Sequence, residues 1–159
     1  MYFFILSVIF TFIVSISPAL HAEEIDDFVS KRFIVLKQTK SYADANKSAA
    51  NAARKLKIKL DLRDLSEHED TGLSASKKTC EENLFYYPCY VARGRYDDEI
   101  SVSIEHADGY HDFKKGHFIV MLASSAVNNP EIEKFLKKAK AKFPEVFSHT
   151  ERVYMGCIH

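Results

Sequence analysis

Tryptophan is absent from this 159-residue chain, and glycine (5), proline (4) and cysteine (3) are scarce. The shortage of glycine removes one function class at once. A backbone cradle for phosphate needs glycines in a strand-to-helix turn, so that amides can close on the anion. The two such turns, Lys37-Gln38-Thr39-Lys40 and Ala123-Ser124-Ser125-Ala126, hold none, and nucleotide binding is excluded. Net charge is also missing: Lys+Arg and Asp+Glu both count 22, so no bulk charge draws in nucleic acid or an anionic membrane surface. No Cys-x-x-Cys spacing occurs, which argues against a cysteine metal site. The length suits one ordinary domain and its core.

Charge is absent, too, from the first 22 residues. An apolar stretch runs from Phe3 to Ile16, Ser17-Pro18 breaks it, and Ala22 supplies a small residue for cleavage. This reads as a signal peptide over 1–22, followed by a single domain over 23–159. The alternative is an uncleaved amino-terminal anchor, since the run approaches membrane-spanning length. Either reading places the domain in a periplasmic or secreted, oxidising setting, with no membrane span after signal removal. There the odd cysteine count matters. Cys80 and Cys89 enclose eight residues, a span that a turn can close, and a disulfide between them is expected. Cys157 is then expected to be buried near the terminus, although a bridge from Cys157 to either of the others remains the alternative.

What is present is a legible run of elements. Phe33 to Leu36 is a β-rich apolar run, and Ser41 with Asp44 gives a capping pattern. Tyr42, Ala45, Ala49, Ala52 and Leu56 follow at helical spacing. Leu56, Ile58, Leu60 and Leu62 then alternate with polar residues as in a half-buried strand. Residues 66–78 read as a loop, with a short helix from about Ser74 to Glu82. Three strands are predicted over Phe85–Arg95, Glu99–His106 and His117–Ala123, with Asp97-Asp98 as a hairpin turn. Asn129 caps a last helix with Pro130 at its first position, and Pro144 stops it. A final strand is expected over Arg152–Met155. This order gives an α+β plan, a mostly antiparallel sheet with two main helices packed on one face.

The units FIVLKQTKSYADANKSAANAARKLKIKLDL and HFIVMLASSAVNNPEIEKFLKKAKAKFPEVF each resemble half of a SPOR (sporulation-related repeat) domain. The likeness covers residues 32–62 and 117–156. It lies in a strand with an aromatic and valine, a small polar turn, and a helix with spaced alanines and leucines. The resemblance implies a ferredoxin-like β-α-β-β-α-β sheet, here with an insert. It also implies a cell-envelope setting and binding of peptidoglycan glycan strands on the exposed sheet face.

Candidate sites follow from the residues. Glu105, His106, Asp108, His111, Asp112 and His117 crowd imidazole and acid together. Adjacent strand positions point to opposite faces, so a solvated loop without metal is the expectation. Cys89 or Cys157 with a histidine would need a reduced thiol of low pKa, and oxidation is the simpler fate. No catalytic set or cofactor is expected. The tyrosine-rich stretch supplies the binding candidates: Tyr87, Tyr90, Arg93, Arg95 and Tyr96 would stack on sugar rings and bond their hydroxyls. The competing reading has these tyrosines covering a small core. The expected function is therefore non-catalytic binding in the cell envelope, with peptidoglycan glycan strands as first partner. An inhibitor or immunity protein that binds a toxin or lytic enzyme is the alternative.

Overall fold

Small polar side chains set the element boundaries. The computed structural model describes residues 27–157 apart from Tyr96; the expected signal peptide lies outside the described residues. The elements are β1 (Phe28–Thr39), α1 (Tyr42–Leu56), β2 (Leu65–His68), β3 (Gly72–Ala75), α2 (Lys77–Glu82), β4 (Ser103–His106), β5 (Phe118–Ala126), α3 (Pro130–Lys140) and β6 (Phe147–Tyr154). Ser41 caps α1 by accepting from the Asp44 amide, Ser76 caps α2 through Thr79, and Asn129 caps α3 through Glu131. Each satisfies an amide that the first helical turn leaves unpaired.

The main sheet has the order β4-β5-β1-β6, and all three pairings are antiparallel. Counted among themselves, these strands stand 4-1-3-2, the ferredoxin-like order of a β-α-β-β-α-β chain. The α+β expectation therefore holds. The insert between α1 and β4 carries β2, β3 and α2, with β2 and β3 forming a separate two-stranded sheet.

Several local expectations are corrected. The alternating stretch Leu56–Leu62 is no strand. Leu56 closes α1, Lys57 adopts the left-handed conformation, and only Leu60 bridges in parallel to Val102. Residues 66–78 are no simple loop, since Gly72 at φ +72° admits the β2–β3 hairpin. A Cβ at Gly72 would stand 2.3 Å from the His106 ring, so glycine is required there twice over. Phe85–Arg95 is not a strand either, and Asp97-Asp98 turns no hairpin. The backbone of that stretch bonds to side chains: Ser74 Oγ accepts from the Cys89 amide, and Glu105 accepts from that of Arg93. The last strand begins earlier than expected, at Phe147.

Two cores result, one on each face of the sheet. Ile34, Leu36, Ile104, Val120 and Leu122 meet the helices through Ala45, Ala49, Ala52, Ile132 and Phe135. The alanines let α1 lie close against the strands. Leu65, Leu73, Ala75 and Cys80 of the insert extend this core. The opposite face, expected to be open, is covered. Phe33, Val35, Ile119, Met121 and Val153 pack there against Ala107, Tyr110 and Phe113, with Ala92 laid on them. Gly94, at φ +94°, rests on the Phe33 ring, where a Cβ would come within 2.8 Å.

His106 titrates within this packing. Its ring is buried against Phe118 at 5.3 Å. Burial lowers its pKa, aided by His117 and Lys115, while Asp108 opposes the shift. The unfolded chain therefore takes up this proton first as pH falls. Stability is full above the unfolded value of 6.5 and declines as pH drops below it. Asp44 and Asp61 have lowered pKa values, so their contributions persist until more acidic pH. Urea midpoints at pH 7.5 and 5.5 should show the decline in the wild type and a shallower one in His106→Gln. Equal slopes would remove His106 from the account.

Candidate functional site

The stretch singled out for binding lies mostly inside the protein. Arg93 is 1% exposed, and its guanidinium is fully employed. Nε donates to Asp97 at 2.6 Å, and Nη1 donates to Ser101 O at 2.9 Å and Ser103 Oγ at 3.1 Å. Nη2 donates to Glu99 O at 2.9 Å and Ser101 Oγ at 3.0 Å. Such a side chain organises the loop around itself and leaves no donor for a ligand. Arg95 is also buried, donating to the backbone oxygens of Tyr154 and Gly156, with its guanidinium over the Tyr154 ring.

Tyr90 points inward to Glu105, whose carboxylate is wholly buried. Four groups converge on that carboxylate: Arg63 Nη1 at 2.8 Å, Tyr90 Oη at 2.9 Å, the Arg93 amide at 3.1 Å and Tyr110 Oη at 3.2 Å. Burial raises the pKa of both tyrosines well above the ordinary phenol value, and the Glu105 charge raises them further. Burial acts to lower the Arg63 pKa, but Glu105 outweighs it and the net shift is upward. The phenols stay protonated and donate, and the carboxylate accepts. This is a structural knot rather than a reaction centre.

The five expected contact residues therefore do not share a surface. Arg93, Arg95 and the Tyr90 hydroxyl are internal, and Tyr96 lies outside the described residues. Tyr87 is half-exposed and stands edge-on to His68 at 5.4 Å.

The exposed chemistry lies just before them. Cys80 and Cys89 form the expected disulfide. The residues between project Leu84 at 91% exposure and Tyr86 at 96%. Leu84 sits at φ +62°, a conformation that a bulky residue rarely adopts. The loop is held by the Leu84 amide to Glu81 O at 3.1 Å and the Phe85 amide to Cys80 O at 2.9 Å. Its far end is pinned by the Ala75 amide to Cys89 O at 2.9 Å. Two large apolar side chains are thus displayed on a rigid base. The sequence reading did not single out Leu84, and it placed Tyr86 in the strand expected over Phe85–Arg95. The signal available was that no polar alternation protects them.

The disulfide removes Cys89 as a nucleophile, and Cys157 is free and exposed rather than buried as expected. Asp112, His149 and Glu151 bring ligand-type atoms within 4.8 Å of one another; only Asp112 of these drew notice in the sequence. No helix among the described residues is long and apolar enough to cross a membrane. No protein-family model, curated protein or solved structure matches the chain.

Replacing Glu105 by Gln should separate the knot from the exposed loop. It strips the partly exposed Arg63 guanidinium of its counter-charge and two phenols of a charged acceptor, which should cost about 2 kcal/mol in urea unfolding. Tyr86→Ala, fully exposed, should stay within about 0.5 kcal/mol of wild type. A Glu105→Gln loss no larger than that of Tyr86→Ala would show that the carboxylate does not anchor the insert.

Proposed function

We propose that this chain is an exported, non-catalytic inhibitor or immunity-type protein that grips a protein partner with its Cys80–Cys89 loop. The observation that carries the reading is the display of Leu84 and Tyr86 on a braced loop. Ordering a loop before binding lowers the entropy lost on association. Tyrosine, a large ring with a polar tip, is a common binding hot spot. An apolar surface displayed at this expense is hard to account for by folding alone, since Leu84 and Tyr86 bury almost nothing.

Surrounding charge supports a basic partner. Lys77 and Lys78 are paired to Glu81 and Glu82 at 3.8 and 3.7 Å. Glu67, Glu69 and Asp70 lie on and beside the β2–β3 turn, which the His68–Tyr87 contact brings next to the loop. Among the described residues no lysine or arginine pairs with them, so this flank is acidic. The partner is then a cationic protein with an apolar cleft, a description that fits an enzyme working on an anionic cell wall. Export is supported by the uncharged apolar opening of the sequence and by a disulfide of the kind that persists in oxidising compartments.

Peptidoglycan glycan is the second reading, and Tyr86 with Tyr87 favours it. Glycan would have to use these rings, because the sheet face that the SPOR resemblance implies for it is covered by Ala92, Tyr110 and Phe113.

Purified protein should be tested against a panel of cationic cell-wall hydrolases, reading both binding and loss of lytic activity. Inhibition of at least one is expected. Tyr86→Ala should weaken it by about 2 kcal/mol, near thirtyfold. Co-sedimentation with amidase-treated sacculi, together with no inhibition across the panel, would overturn this reading in favour of glycan.

A further inference from the structure

We propose that Asp112, His149 and Glu151 form a site for a divalent metal ion of the zinc type. The site is independent of the disulfide loop and of the function assigned to it. His149 and Glu151 are two apart on β6 and so share a face of the strand. Asp112 arrives from the segment between β4 and β5. One ligand atom from each lies within 4.8 Å of the others. Zinc-ligand bonds near 2.1 Å put tetrahedral neighbours about 3.4 Å apart. His149 Nε2 and Glu151 Oε2 already stand at 3.3 Å, and the exposed Asp112 carboxylate has room to swing inward.

The supporting shell is in place. Glu151 is 1% exposed, and its carboxylate accepts from the His111 amide at 3.0 Å and the Asp112 amide at 3.1 Å. These bonds fix both oxygens while leaving lone pairs unused, since a carboxylate offers about four acceptor positions. Second-shell bonds of this sort orient ligands in metal sites. The His149 ring is held by Phe113 at 4.3 Å between centroids. A cavity of about 190 Å³, lined by Phe28, His111, Asp112 and Arg152, opens beside the trio and gives an ion a way in.

Charge points the same way. Among the described residues the only ion-pair partner of Glu151 is His149. Two carboxylates and one imidazole therefore stand together without a lysine or arginine bonded to either acid. A divalent cation seated between them would neutralise the two carboxylates. One imidazole with two carboxylates suits zinc and its first-row neighbours better than magnesium or calcium, which take oxygen ligands.

The test uses the EDTA-stripped, dialysed protein carrying Cys157→Ser, so that the exposed thiol cannot compete. Zn²⁺ is titrated calorimetrically, and Co²⁺ is followed by its visible absorption. Saturation at one equivalent is expected, with a rise in thermal midpoint on adding Zn²⁺. Asp112→Asn and His149→Gln should each weaken binding at least tenfold and remove the thermal shift, whereas His68→Gln should change neither. Asp112 is exposed and its substitution leaves the Glu151 amide bonds intact, so that variant tests the site even if His149→Gln unfolds. Absence of saturable binding, or equal affinity in Asp112→Asn, would overturn the proposal.

Discussion

The buried carboxylate of Glu105 decides where the insert can lie. Glu105 faces away from the helices, on the side of β4 where an open sheet would meet water. Left there alone, a buried carboxylate would be costly. It is stabilised by Arg63 from before β2, by Tyr90 and the Arg93 amide from after the disulfide loop, and by Tyr110 from before β5. Three separate stretches must converge for its charge to be met. Their convergence closes the second face, since the chain that brings Arg93 to Glu105 carries Ala92 and Gly94 over Phe33 and its neighbours. Arg93 then builds its own cage of Asp97, Ser101 and Ser103, which fixes the approach to β4.

Closure of that face constrains function more than the topology does. A ferredoxin-like sheet with helices on one side offers a broad open platform on the other, and here the platform is interior. The same physical fact makes Arg93, Arg95 and the Tyr90 hydroxyl interior groups rather than contact groups. Candidate binding features lie at the margins: a disulfide-bound loop on the insert, and a trio that joins His149 and Glu151 of the edge strand β6 to Asp112.

Much of this was legible in the residues and part of it was misread. Caps and stripes were readable because they are local: Ser41, Asn129 and Pro130 set helix ends wherever the helix packs, and Ala45, Ala49 and Ala52 had to face a close neighbour. The covered face was misread as open, although the residues carried its signal. Phe33-Ile34-Val35-Leu36 and Phe118-Ile119-Val120-Met121-Leu122 hold no polar residue on either face, and an unbroken apolar run marks a strand buried on both sides. An open face would have required alternation there. Leu56–Leu62 misled for the opposite reason. Its alternation is clean, but only Leu60 finds a strand partner, at Val102 just before β4. The fate of Arg93 was beyond local reading, because nothing in "YVARGRY" says whether a charge will meet water or a cage of carbonyls eight residues away. The trio on β6 was hidden by distance in sequence, since His149 and Glu151 lie some forty residues from the turn that completes the group.

The two candidate sites share one support. Tyr90 and Tyr110 donate to the same Glu105 carboxylate, and each sits immediately beside one of the candidate features. Tyr90 follows Cys89, so its hydroxyl bond holds the base of the disulfide loop to the sheet. Tyr110 precedes His111 and Asp112, so its bond sets the height from which their amides reach Glu151. Burial holds both phenols in the protonated form, so both remain donors. The knot touches neither a partner nor an ion, yet it fixes the loop that displays Tyr86 and the turn that presents Asp112. A buried ion pair that apolar packing could replace at little cost thereby acquires a reason to be retained: it is the common reference point from which the two candidate sites are positioned.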